Sequence, residues 1–505
     1  MANGAKRRLS LLDASFLYGE SAVSPTHVGS IFIIEGELEF DQVLNHMRQR
    51  LHITPRFRQR LAFPPFNLGH ATVEDDPDFK LENHVLRHQL PEGITQADAI
   101  NEILRVHFGR VMDRSRPLWD VTLFEGLPGR SLFVWAMHHA VVDGVAAFEM
   151  LNRLMDFTAH PRPAEEEAVE PWKPNPFPSA QESLIGALRD LAVGSIDSAM
   201  RNAREFMRDP SIVIEQAQHA IAASRLMREM AQAPVATPWN AGIAVGERRL
   251  AHLKMPLAEY RAIRAAFGGT INDIVLAVLG EGASRYLRHH GWPTEGFLRF
   301  GCPVNVRRPG EEIVLENRVS SMMPTTSATP MDVVERLAAV AQETKRLKES
   351  GAAYTMERIS SMGETISPAI LGAASAVGSF AMESIAVALR AFDWKPTPGG
   401  FGMPPSGISF VATNVPGPQA PWYFAGHRVL DMIGLLPLAG NLGYGVAIGS
   451  YDQHIVFSMI ADARMMPDVE QMKVFVEEAF AELRERVPAD LRHSPVARTT
   501  AKAAA

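Results

Sequence analysis

The chain has 505 residues, 46% of them apolar and 21% charged, with a formal charge of −7. That length exceeds one ordinary domain of roughly 100–200 residues, and the composition is that of a folded globular protein rather than a disordered chain or solenoid. The negative balance and the shortness of the basic clusters at Lys6–Arg8 and Arg307–Arg308 argue against a nucleic-acid partner.

A single cysteine, Cys302, leaves no intramolecular disulfide and no cysteine-built zinc site, which fits a reducing, cytoplasmic setting. Asp13 interrupts the apolar stretch near the N-terminus, so no secretory leader is expected.

In chain order, a strand is predicted over Thr26–Glu37, centred on HVGSIFIIE, and an amphipathic helix over Asp41–His52. Trp119–Leu127 and Ser131–His139 read as a hairpin turned at Pro128-Gly129, and a helix opens at Gly144. Repeated prolines and glutamates mark His160–Pro178 as a linker, and connecting helices are predicted over Ser179–Gln232, with a break near Asp209-Pro210.

A second α/β region starts near Arg248. It has helices over Asn272–Gly291 and Met331–Ser350, with a strand over Phe297–Arg307 between them. Late strands follow at GISFVATNV, GVAIGSYDQ and HIVFSMIAD, the last two a hairpin around Tyr451–Gln453, and a helix spans Val469–Arg486. The organisation expected is 1–160, a connecting region 161–247, a second domain 248–490 and a frayed tail 491–505. The stretch from Ile366 to Phe392 is nearly uncharged, short for a bilayer span of about 30 Å, and reads as a buried helix or a lipid-facing one.

At the end of the second hairpin strand lies AMHHAVVDGVAAF. Adjacent strand residues face opposite ways, so only one of His138 and His139 is expected to act in a pocket. Neither H-E-x-x-H nor H-x-H spacing is present, so no metal site is expected. A histidine closing a strand and an aspartate before a glycine also serve plain turn and capping roles. What favours a general base is the combination of His139, Asp143 and Gly144 with the small Ala140 and Ala146, since a base needs access as well as a pKa near neutrality. Cys302 sits in an apolar strand pattern with no base beside it and reads as core, and the chain has no G-x-S-x-G elbow. The Gly443–Gly449 glycine pattern lacks dinucleotide-binding spacing.

The run His138–Gly144 resembles the HHxxxDG motif of the CoA-dependent acyltransferase superfamily. The surrounding blocks resemble the bacterial wax ester synthase/diacylglycerol acyltransferase family from about Leu9 to Met472: LSLLDASFLYGE, HVGSIFIIEG, RPLWDVTLFEGLPG, GGTINDIVLAVLGEGASRYL, CPVNVRRPG, ENRVSSMMPTT, TNVPGP and GSYDQHIVFSMIADARMMPD. Thr26 before HVG and Thr413 before NVPGP depart from the family's usual methionine and serine.

The resemblance implies two chloramphenicol-acetyltransferase-like domains with mixed α/β sheets and an active-site tunnel between them. It implies His139 as general base, His138 as an orienting residue, Asp143 and Gly144 as supports of the motif, and Asn272, Asp273 and Asn414 near substrate. For Asp143 it implies a structural ion pair, with Arg56 or Arg58 as partner; Gly417 reads as a turn residue. The implied substrates are acyl-CoA with diacylglycerol or a long-chain alcohol, without a cofactor, in the cytoplasm or peripherally at the inner membrane or a lipid droplet. Transfer from carrier-protein thioesters and non-catalytic lipid binding are the competing readings.

Overall fold

A computed structural model describes residues 7–142, 144–160, 172–189, 224, 228–242, 244, 247–305, 319–351, 384, 387, 394–400 and 407–492. The predicted linker, most of the connecting helices, the Ile366–Phe392 segment and the tail lie mainly or wholly outside the described residues.

The first half runs β1 (Arg7–Arg8), α1 (Leu11–Gly19), β2 (His27–Glu35), α2 (Phe40–Arg50), β3 (Gln59–Ala62), β4 (Thr72–Asp75), β5 (Val85–Gln89), α3 (Gln96–Phe108), β6 (Trp119–Glu125), β7 (Arg130–His138) and α4 (Gly144–Leu154). Every residue of β7 after Arg130 is buried, as expected of a strand covered on both faces. In α2 the buried Val43, His46, Met47 and Arg50 recur at helical spacing and form one inward stripe. Ser10 caps α1 reciprocally with Asp13, which sets where that helix begins.

The second half runs β8 (Arg248–Pro256), α5 (Leu257–Phe267), α6 (Ile271–His289), β9 (Phe297–Asn305), β10 (Val319–Met322), β11 (Thr325–Ser327), α7 (Val333–Glu349), β12 (Phe410–Val415), β13 (Tyr423–Phe424), β14 (His427–Leu435), β15 (Tyr444–Tyr451), β16 (His454–Asp462) and α8 (Val469–Glu485). Helix α6 is buried almost all round, so it is a core helix. No single helix among the described residues is long and apolar enough to cross a membrane. Helices α5 and α6 together reach that length and composition, but they are bent by 95°.

Two mixed sheets dominate, each over its own apolar core. In the second half the order is β10-β9-β12-β15-β16-β8, with β11 also on β9. There β12 runs parallel to β9 and β15, and the other pairs are antiparallel. In the first half the order is β13-β14-β2-β7-β6-β5, and β1, β4 and β3 form a small separate sheet.

Strands β13 and β14 therefore leave the second half and complete the sheet of the first. A division at residue 248 by sequence alone puts them on the wrong side. The cause is the free edge of β2: Ile33 and Phe32 need cover, and β14 supplies it with Ile34 opposite Val429 and Phe32 opposite Met432. A bulge between Val429 and Asp431 turns the Asp431 carboxylate back to β8, where it meets His252 Nε2 at 3.0 Å and Lys254 Nζ at 3.5 Å. Further in, Arg50 holds Asp156 through two bonds of 2.7 and 2.8 Å, and Asp156 exchanges main-chain bonds with Tyr423.

Candidate active site

Strand β7 ends at His138, and the chain then turns before α4. The turn is closed by the Val141 N–H donating to the His138 carbonyl (3.1 Å), while the His139 N–H donates to the Thr26 carbonyl (3.0 Å). With the strand over, the two imidazoles have separate environments. His138 is fully buried, whereas His139 is half-buried and its ring lies flat on Phe16, with centroids 3.9 Å apart and planes at 6°.

His138 Nδ1 accepts from the Ala140 N–H at 3.0 Å, so its proton sits on Nε2, which faces Thr26 Oγ1 at 3.2 Å and Glu20 Oε1 at 3.4 Å. Glu20 was not singled out among the sequence candidates, although it closes the LSLLDASFLYGE block. Burial raises its pKa, but the His138 bond, the Thr26 N–H (3.1 Å) and Arg114 (3.0 Å) outweigh burial and bring the carboxyl down to about 2. The site thus contains a fixed buried anion that the spacing of HHxxxDG does not announce.

Ala140 and Ala146 are both fully buried in the first core, so their small size serves packing rather than access to the imidazole. Asp143 lies outside the described residues. Of its two sequence candidates, Arg56 is buried, and the Arg58 guanidinium lies 4.6 Å from the centre of the Trp172 ring.

Gly144 begins α4 beneath the second half: a methyl built there would stand 3.2 Å from Val415 Cγ2. Gly417, two residues further, touches the same helix, because its missing side chain would lie 2.9 Å from Phe148 and 2.3 Å from the Ser450 carbonyl. The motif turn and the NVPGP segment are therefore neighbours.

Asn414, beside Val415, donates from Nδ2 to Asn272 Oδ1 at 2.9 Å, which joins two candidates separated by 142 residues. Asp273 is occupied otherwise. One carboxylate oxygen accepts from the Thr270 N–H and hydroxyl at 2.8 Å each, and the other accepts from the Thr344 hydroxyl at 2.7 Å, so it caps α6 and ties it to α7.

Cys302 is buried in β9, and burial pushes its thiol up to about 12, which removes it as a nucleophile near neutral pH. The Gly443–Gly449 stretch lies along β15, paired on both edges. No cluster able to hold a metal ion occurs among the described residues. Two cavities in the second half, of about 580 Å³ around Arg285 and Phe475 and about 260 Å³ around Arg299 and Arg346, include none of the motif residues.

Comparison with known families gives the wax ester synthase/diacylglycerol acyltransferase catalytic domain over residues 9–275 and the family's C-terminal domain over residues 315–484. The chain belongs to this family. It is accordingly an acyltransferase of the acyl-CoA-dependent kind that makes triacylglycerol or wax ester.

A protein of Mycobacterium tuberculosis named as a probable diacylglycerol O-acyltransferase is 30% identical over 485 residues, which cover 94% of this chain and 95% of that protein. Among solved structures, the wax ester synthase/diacylglycerol acyltransferase of Marinobacter aquaeolei VT8 superposes with a TM-score of 0.61 at 21% identity, covering 95% of this chain and all of that one. The first condensation domain of the calcium-dependent antibiotic synthetase superposes at 0.56 with 14% identity, covering 98% of each. At such identities the two structures speak for the fold, with two chloramphenicol-acetyltransferase-like halves.

Proposed function

We propose that this acyltransferase works by direct transfer, with His139 as general base. The acceptor hydroxyl gives its proton to the imidazole as its oxygen attacks the thioester carbonyl carbon of acyl-CoA. The tetrahedral oxyanion then collapses, the carbon–sulfur bond breaks, and the imidazolium returns the proton to the CoA thiolate. A positioned base of this kind contributes about 10²- to 10⁴-fold, and alignment of the two substrates supplies much of the rest.

The observation that carries the reading is the contrast between the neighbours: His138 has both ring nitrogens engaged within the fold, while His139 is half-buried at the turn, with its ring braced on one face by Phe16. Asn272 supports it, because its Oδ1 accepts from Asn414 and its own amide hydrogens can then bind a substrate oxygen or a developing oxyanion. The close approach of Gly144 to Val415 and of Phe148 to Gly417 brings the second half against the motif turn, as a site shared by the two halves requires.

The acceptor is diacylglycerol, a long-chain alcohol or both, no cofactor takes part, and the enzyme meets its apolar substrates peripherally, at the inner membrane or a lipid droplet. Exposed large apolar side chains at Phe66, Phe63, Ile185 and Leu188 favour such a contact.

The test is thiol release from palmitoyl-CoA offered hexadecanol or dioleoylglycerol, with each ester identified by chromatography. Acceptor-dependent release is expected, and His139→Ala is expected to lose it by about 10²-fold or more while remaining folded. Release by the folded variant at the unmodified rate would rule out His139 as base.

A further inference from the structure

We propose that Glu20 is a positioning residue for the transfer reaction: without touching substrate, its carboxylate acts through His138 to hold the turn that presents His139. The proposal rests on His139 being the base.

Glu20 follows α1 directly, and its side chain is 1% exposed. Three separate segments direct donors at it. Thr26 donates its N–H to Oε1, Arg114 donates to Oε2, and His138 presents Nε2 to Oε1. Arg114 is 40% exposed and also donates to the Leu17 carbonyl at 2.9 Å, so the anion is balanced from the solvent side and fixed against the end of α1. A carboxylate so placed is held charged and immobile.

Its effect passes to the turn through one imidazole. His138 has two tautomers, and only that with the proton on Nε2 leaves Nδ1 able to accept from the Ala140 N–H. The other tautomer would set donor against donor inside a buried turn. The Thr26 hydroxyl donates to the Phe16 carbonyl at 3.0 Å, so toward His138 it too is an acceptor, but an uncharged one. Glu20 is the charged acceptor that selects the tautomer. His139 is the residue between His138 and Ala140, so the bond across them sets its main-chain direction.

Phe16, the platform under the His139 ring, lies on α1 four residues before Glu20. One helix end therefore fixes the imidazole twice, by contact with its face and by control of the turn beneath it.

A role in stability alone differs from this in what it predicts. The full chain and its Glu20→Ala, Glu20→Gln, His138→Ala and the two double variants would be compared for kcat and KM with palmitoyl-CoA and hexadecanol, alongside thermal melting. Displacing a reacting group by about 1 Å costs about 10²-fold, so Glu20→Ala is expected to lower kcat by about that factor with KM within about twofold. Glu20→Gln keeps the shape and one acceptor but turns its amide toward Arg114, and is expected to lose about tenfold. In the His138→Ala background neither change should lower kcat further, as residues acting through one another are not additive.

Glu20→Gln also serves if the alanine variant fails to fold. An unchanged kcat in Glu20→Gln, or losses that multiply in full with that of His138→Ala, would overturn the proposal. His139→Ala in the same assay separates the two readings. If it abolishes transfer while Glu20 variants run at full rate, only the positioning role fails; if it retains transfer, the base assignment fails and the positioning role with it.

Discussion

Both halves bury arginines and carboxylates, but they differ in their buried histidines. In the first, His27, His46, His84, His107 and His138 are all buried; in the second, no histidine among the described residues is, and its buried charges are arginines and carboxylates. Arg336, wholly enclosed, donates to Glu281 at 2.7 Å and spends its remaining donors on Thr326, Ser284 and the carbonyls of Ser327 and Thr329. Two of the buried histidines are held neutral instead: burial drives His27 and His107 down to about 3, far from the value they take in the unfolded chain. The first half is thus the one whose stability depends on buried histidines staying neutral.

The sharpest way to break this contrast is mechanical. Gly29→Ala would place a methyl 2.3 Å from the Trp135 carbonyl, across the β2–β7 pair that leads to His138. A loss above about 4 kcal/mol is expected, read by hydrogen-exchange mass spectrometry as deprotection of β2, β7 and β14 before the second sheet. Arg336→Met removes one member of a buried pair and leaves Glu281 with Arg285 (2.9 Å) and the Met331 N–H (3.2 Å) as its remaining donors, so a loss of about 3 kcal/mol is expected, the low end for breaking such a pair. Here the exchange should be faster in α6, α7 and β9, with acyl transfer retained at low temperature. Deprotection of the first sheet instead would show that the halves are not separately held.

Acid sharpens the comparison without mutation. His27 and His107 bind protons in the unfolded chain near 6.5 but in the fold only near 3, so the unfolded state gains protons first as pH falls between those values. Stability contributed by their neutral forms is intact above about 6.5 and declines below it, by roughly 1.4 kcal/mol per pH unit for each group. Glu20 adds its own loss only below about 4.5, toward 2. Melting followed from pH 7 to pH 5 should therefore fall, with exchange rising in the first sheet; equal rises in both sheets would contradict the assignment. The smallest effect is expected for Cys302→Ala, at about 1 kcal/mol of stability and no change in kcat, and a loss of turnover there would restore the thiol to the chemistry.

Much of the frame is legible in the sequence because it is local. The β6–β7 hairpin announces itself by two apolar runs around Pro128-Gly129, and the β15–β16 hairpin by a turn at Tyr451–Gln453, and both form with the expected partners. Strand β14 is not legible in the sequence, since its alternation is broken by the bulge before Asp431 and its partner β2 lies near the other end of the chain. The short strands β1, β3 and β4 carry too few residues for a period.

The same division holds in the site. His138 and His139 are marked by their adjacency and by the Asp-Gly that follows, whereas their different surroundings depend on where β7 ends. Asn272 and Asn414 were candidates one by one, but their hydrogen bond comes from tertiary packing. Asp273 shows how capping chemistry and substrate chemistry use the same residue types: Thr270 three positions earlier is the signal that favoured the cap. For Glu20 the signal was a lone acidic residue after an apolar helix, meaningful only once Thr26, Arg114 and His138 stand around it.

The place of β14 beside β2 also bears on how the protein is made. As the chain emerges from the ribosome, residues through α4 can form a β2–β7–β6–β5 sheet, but the edge of β2 has no partner until His427–Leu435 have been synthesised. Pairings so distant in sequence close late and slowly, and an open apolar edge is what chaperones and aggregation both recognise. A ribosome stalled in the second half before His427 would therefore hold the His138–Gly144 motif already translated in a sheet not yet finished, so that the sheet is completed only near the end of synthesis.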